Sequence, residues 1–137
     1  YGASLRAWSE AGSAALGVEL SGEAVALAAV NAPLATVLRG TCTQRLPQVR
    51  QWWRERDGER VAYVNPPRSG LEPESVATLA RELRPRRLGY LSCSAGTLSR
   101  DLAHLCAAGY RVVAIHPFDF FPLTHHVEAL ALLELAD

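Results

Sequence analysis

Short apolar blocks alternate along this chain with stretches whose apolar residues recur every three or four positions, the pattern of strands feeding helices through short connections. Residues 14–20 read as a strand ending at Glu19. Ser21 then suits an N-cap for the alanine-rich helix 23–30, closed near Asn31 and Pro33. Residues 36–39 form a second, shorter strand. The segment 47–56 is predicted to be helical, with Val49, Trp52 and Trp53 on its apolar side and Asp57-Gly58 as the following turn. A third strand, 61–64, runs into Asn65-Pro66-Pro67-Arg68-Ser69-Gly70-Leu71, where two prolines end any ladder and stiffen an exposed loop.

From Pro73, the spacing of Val76, Leu79, Ala80 and Leu83 predicts a helix that Pro85 stops. Residues 88–91 form the strand that delivers Cys93. The next helix carries Leu98, Leu102, Leu105 and Cys106 on one face and ends near Gly109, so Cys106 is expected in the core. Residues 110–116 and 127–135 are both strand-like, separated by the aromatic, proline-containing loop 117–126, and are expected to pair antiparallel as a closing hairpin. Repeated β-then-α alternation places the chain in the α/β class, with a mostly parallel sheet covered by helices on both faces.

Composition narrows the picture. A chain of 137 residues, 49% hydrophobic and 20% charged, fits one domain of an ordinary soluble globule. No apolar run approaches a membrane span and the start does not look like a signal peptide, so a cytoplasmic protein without membrane contact is expected. Cys42, Cys93 and Cys106 form no CxxC pair and no zinc or iron–sulfur spacing, so reduced thiols and no metal are expected. Net charge is zero, which argues against this piece alone gripping a nucleic-acid backbone, although all fourteen basic residues are arginine. Arg81, Arg84, Arg86 and Arg87 form the one dense cluster and read as a solvated helix end. With no methionine, the sequence is expected to be a fragment or a trimmed product.

Chemistry is expected where strands end. In open α/β sheets ligands bind outside the carboxyl ends of the strands. Cys93 lies between an apolar strand and a helix N-terminus, where unpaired N–H groups favour a thiolate; the competing reading is an inert packed thiol. Glu19 has the place of an acid that accepts hydrogen bonds from ribose hydroxyls, or is a solvated carboxylate. Asn65, before two prolines, can face a planar ligand without an ordering cost, or form an Asx turn.

Three ordered segments carry a resemblance: Asn65-Pro-Pro-Arg-Ser-Gly-Leu71, the Cys93 segment continuing through Thr97-Leu98-Ser99-Arg100-Asp101-Leu102, and Phe121-Pro122-Leu123-Thr124-His125-His126-Val127-Glu128. In order and spacing the chain resembles the S-adenosylmethionine-dependent RNA (uracil-5-)methyltransferases. Those enzymes carry D-P-P-R-x-G-L, S-C-N-P-x-T-L-A-R-D-L and a proline-rich loop ending H-V-E. The resemblance implies a Rossmann-like class I methyltransferase fold, S-adenosylmethionine as cofactor, and a transfer or ribosomal RNA partner. It makes Cys93 the nucleophile that adds to carbon 6 of uracil and Glu128 the base that removes the carbon 5 proton. Gly2 falls at the end of the glycine-rich cofactor loop, Glu19 matches the acid that holds the cofactor ribose, and Asn65 stands where the family has an aspartate contacting cofactor or base. Arg68 and His126 are implied as substrate contacts, with Asp119 in the same loop as His126.

The chain departs from the pattern at Asn65, which loses a charge but keeps a carbonyl acceptor, and at Ser94-Ala95, which lacks the proline that stiffens the turn after the cysteine. Thr41-Cys42-Thr43 stands where relatives place an acid for the adenine amine. Set against those relatives, a chain starting at Tyr1 is expected to lack the first strand and the upstream RNA-binding region, so on its own it is expected to be inactive and either poorly stable or to fill the gap by strand exchange or dimerisation. Two alternatives stand beside this reading. One is an exocyclic-amine methyltransferase using Asn65-Pro-Pro, which would not need Cys93; the other is a catalytically dead RNA-binding homologue.

Overall fold

Ser21 and Thr41 decide where the first two strands give way to helices. In the computed structural model, which describes residues 1–120, 122–124 and 127–136, the Ser21 hydroxyl accepts the Ala24 N–H at 3.3 Å. The Thr41 hydroxyl accepts the Gln44 N–H at 3.2 Å while the Gln44 side chain accepts the Thr41 N–H at 3.1 Å. This reciprocal capping satisfies two donors that the first helical turn leaves open.

The chain forms two compact units, Tyr1–Arg56 and Asp57–Asp137. The first contains α1 (Ala3–Glu10), β1 (Leu16–Glu19), α2 (Gly22–Asn31), β2 (Thr36–Arg39) and α3 (Cys42–Arg54). Strands β1 and β2 are parallel, running from Leu16 beside Thr36 to Glu19 beside Arg39. Small side chains build its interior: Ala15, Ala24, Ala28 and Ala32 are buried, with Leu46 of α3. Helix α3 starts at Cys42 rather than at the expected Pro47, which lies inside the helix. The Thr41–Gln44 capping box sets the start, and Pro47 is accommodated in the second turn.

The second unit contains β3 (Val61–Val64), α4 (Pro73–Thr78), β4 (Arg87–Ser92), α5 (Ala95–Ala107), β5 (Tyr110–Phe118) and β6 (Glu128–Leu135). Helix α4 continues as a π-helical turn over Leu79–Leu83 and ends at Arg84, in the left-handed region at φ 44° before Pro85. The strand order is β3-β4-β6-β5, with β3 and β4 parallel and β6 antiparallel to both neighbours. The parallel β/α units and the closing antiparallel hairpin are those expected from the sequence.

Strict alternation along β4 sorts this sheet into two faces. Leu88, Tyr90 and Ser92 are buried, and with Ala131 and Leu133 of β6 they pack against Leu71, Val76, Ala80, Leu98 and Leu105. Gly89 and Leu91 take the other face. The expectation for Cys106 is corrected here: it is exposed. Helix α5 buries Leu98, Asp101 and Leu105, and a residue next to Leu105 is turned about 100° away from it. No helix among the described residues is long and apolar enough to cross a membrane.

Candidate active site

Cys93 follows the last residue of β4 and precedes α5, and it is half-buried rather than sealed in the core. Its turn is held by the neighbouring Ser92. The Ser92 hydroxyl, 4% exposed, accepts the Ser94 N–H at 3.1 Å and donates to the Ser94 carbonyl at 3.0 Å. Ser94 caps α5 through its extended backbone but makes no side-chain cap. The stiffness expected from a proline after the cysteine is therefore supplied by a hydroxyl before it.

The β4/β6 ladder brings the Glu128 carboxylate to the same end of the sheet. Its register runs from Arg87 opposite Glu134 to Ser92 opposite Ala129. One residue further along each chain stand Cys93 and Glu128. Cys93 lies in a bend just past β4, so thiol and carboxylate share one end of the sheet, while Glu128 projects from the face opposite the core. On that side the Tyr63 ring lies 3.2 Å from where a Cβ on Gly89 would be, with Leu130 at 3.8 Å. Burial, and then the negative charge of Glu128, raise the Tyr63 hydroxyl above its ordinary pKa.

The 65–71 loop leaves the carboxyl end of β3, beside β4. It is tied to the start of α5 by four contacts, and Asn65 and Arg68 are exposed on it. Thr97 donates its hydroxyl to the Arg68 carbonyl at 3.1 Å, and Arg100 Nη2 donates to the Ser69 carbonyl at 3.0 Å and the Leu71 carbonyl at 3.5 Å. The Leu71 N–H donates to Asp101 Oδ2 at 2.9 Å. Asp101, 1% exposed, also accepts the Tyr90 hydroxyl and the Arg100 guanidinium. Gly70 makes this closeness possible: at φ +79°, a Cβ there would fall 2.5 Å from Arg100 Nη2 and 2.7 Å from Asp101 Oδ2.

In the first unit, Glu19 ends β1 and its Oε1 accepts the Ser21 N–H at 2.8 Å. Gly2 caps α1 at φ 80°, and a Cβ on it would lie 3.0 Å from the Ala28 Cα. His126 lies outside the described residues; Asp119 is exposed after β5. Among the described residues no group of three His, Cys, Asp or Glu side chains is placed to hold a metal ion. Sequence reasoning passed over Tyr63 and Asp101. A charged residue between Leu98 and Leu105 on the buried stripe of a helix was the available sign of the second.

The family model for tRNA (uracil-5-)-methyltransferases matches residues 44–136. The chain belongs to this family. An uncharacterized RNA methyltransferase of Enterococcus faecalis is 40% identical over 125 residues, covering 88% of this chain and 26% of that protein. The chain spans about a quarter of the length of such curated relatives. Among solved structures, a putative DNA modification methyltransferase from a prophage of E. coli aligns with TM-score 0.63 at 12% identity, over 88% of this chain and 40% of that one. Aeropyrum pernix fibrillarin, solved with natively bound S-adenosyl-L-methionine, aligns with TM-score 0.55 at 15% identity, over 87% and 55%. For this family member, those likenesses establish the Rossmann-like methyltransferase fold.

Proposed function

We propose that this chain is part of the catalytic domain of an enzyme that methylates carbon 5 of a uridine in structured RNA, with S-adenosylmethionine as methyl donor. The observation that carries the reading is the β4/β6 register, whose last pair, Ser92 and Ala129, leaves Cys93 and Glu128 as the next residues at the same end of the sheet. A thiol and a carboxylate at one end of the sheet are the two groups this chemistry needs. Carbon 5 of uracil is a poor nucleophile until the Cys93 sulfur adds to carbon 6, which pushes electron density onto carbon 5. When bound, S-adenosylmethionine supplies an electrophilic methyl group. Glu128 then takes the carbon 5 proton, the carbon 5–carbon 6 double bond re-forms, and the Cys93 thiolate leaves.

The residues of the first unit suit the donor. Glu19 is anchored through one oxygen by the Ser21 N–H, which orients a carboxylate toward the open end of β1, where a ribose diol is held in this fold class. Gly2, which caps α1 without a side-chain hydrogen bond, is proposed to meet the same ligand through its backbone. Asn65 and Arg68, exposed beyond β3, are proposed to meet the base and a phosphate; His126 is proposed as a further substrate contact. The amine-methylating alternative gives no task to Cys93.

The test is incubation of the full-length protein with 5-fluorouridine-containing RNA and S-adenosylmethionine. Fluorine does not leave as a proton does, so a covalent protein–RNA adduct should accumulate and vanish in Cys93→Ala. Methylation that survives Cys93→Ala would overturn the thiol mechanism in favour of direct amine transfer.

A further inference from the structure

Two phenylalanines on the far side of Glu128 have no place in that chemistry. Phe118 ends β5 and is paired with Glu128 of β6, so its ring projects from the face that carries the carboxylate. Phe120 stacks on it, with ring centroids 5.4 Å apart and planes 4° from parallel. Both rings are open to solvent, Phe118 at 37% and Phe120 at 60%. The exposed imidazole of His116 lies one step back on the same side of β5, opposite Leu130.

We infer that the Phe118–Phe120 pair is a stacking platform for a nucleobase of single-stranded RNA, next to the base held by Cys93 and Glu128. This rests on the proposed uridine chemistry and names the subsite beside it. Phe118 is two strands from Cys93, about 10 Å at the usual strand spacing. A pyrimidine lying on Phe118 is thus beyond reach of the Cys93 sulfur, while its neighbour along the strand is not. Aromatic faces are the usual holders of unstacked RNA bases because every base has a π-face to offer. A flat hydrocarbon pair rimmed by an imidazole suits that occupant. The nearby carboxylate of Glu128 favours the uncharged ring of a base there over the phosphate that joins it to the next.

The test uses the full-length protein and a single-stranded oligouridylate carrying one 2-aminopurine, whose fluorescence is quenched by stacking. Wild-type protein should quench it. Phe118→Ala and Phe120→Ala should weaken binding about tenfold, the loss expected for one base–aromatic stack, and abolish the quench. Phe120→Tyr should restore both. Alanine variants that bind within about twofold of wild type with the quench intact, on the same scale, would overturn the inference, as would wild-type protein that leaves the probe bright. Binding and quenching do not need the thiol, so Cys93→Ala should show both. Quenching without any 5-fluorouridine adduct would refute the Cys93 chemistry and leave the platform standing.

Discussion

The Tyr90 hydroxyl donates to Asp101 Oδ2 at 2.5 Å, inside the core of the second unit. Through that one carboxylate, β4, which delivers Cys93, is joined to α5, which follows it. The Leu71 N–H adds the end of the 65–71 loop, and Arg100 closes the fourth side. A buried charge is tolerated only when its partners are in place, and here those partners are the three pieces of chain that surround the candidate nucleophile.

Replacing Asp101 with Ala should therefore destabilise the fold by about 3 kcal/mol, the usual effect of removing one member of a buried charged network. Urea denaturation monitored by circular dichroism reads this directly. Asp101→Asn should lose less stability, because an amide oxygen still accepts from Tyr90 or Leu71.

Glu128→Gln should slow turnover by about 10² to 10⁴, the range for loss of a general base. With ordinary uridine substrate, the variant should accumulate a methylated RNA bound covalently through Cys93. Denaturing gel electrophoresis with labelled RNA shows the trapped species, and turnover with no such species would assign the proton to another group.

Ser92→Ala removes the hydroxyl that bridges the two ends of the Cys93 turn. The expected loss of stability is about 1 kcal/mol, and the kinetic effect should fall on kcat, with KM for RNA nearly unchanged. A change confined to KM would mean that the turn positions RNA rather than sulfur.

Alkaline pH should weaken the fold through its buried tyrosines. Burial, partly offset by the charge of Arg84, pushes Tyr110 from 10.0 up to about 12, and its hydroxyl donates to the Pro85 carbonyl at 2.9 Å. Tyr90 is raised too, chiefly by burial and then by its bond to Asp101. A pKa raised on folding means the folded state holds the proton more tightly, so this contribution is complete below pH 10 and is lost as pH climbs toward 12. Urea midpoints measured across that range should fall, and Tyr110→Phe should make the fall shallower.

Glu19→Gln should weaken binding of S-adenosylmethionine by about tenfold or more, as expected for loss of a charge-assisted hydrogen bond. RNA affinity should be unchanged. Isothermal titration calorimetry with the cofactor alone separates the two effects.

Much of the frame around Cys93 was legible because prolines and glycines bound its apolar blocks: the β3 strand stops at Asn65-Pro66-Pro67, and Pro85 divides α4 from β4. The hairpin of β5 and β6 was visible for the same reason. What escaped depends on partners distant in sequence. Asp101 looks like a surface residue until Tyr90 and Leu71 are brought to it, and once it occupies the inner stripe of α5, Cys106 is turned outward. The start of α3 was locally encoded in Thr41 and Gln44, but Pro47, a common first helical residue, pointed elsewhere.

The pairing of β5 with β6 slips between Val112 and Ala114, leaving Val113 as one supernumerary residue. Parity along a strand is binary, so that single insertion decides which side chains of the outer half of β5 share a face with Glu128. With it, Phe118 is opposite Glu128; without it, Pro117 would be. Deleting that one residue would leave Cys93 and Glu128 in place yet put Pro117 beside the carboxylate instead of Phe118, so one insertion or deletion is enough to change the wall next to the two candidate groups without touching them.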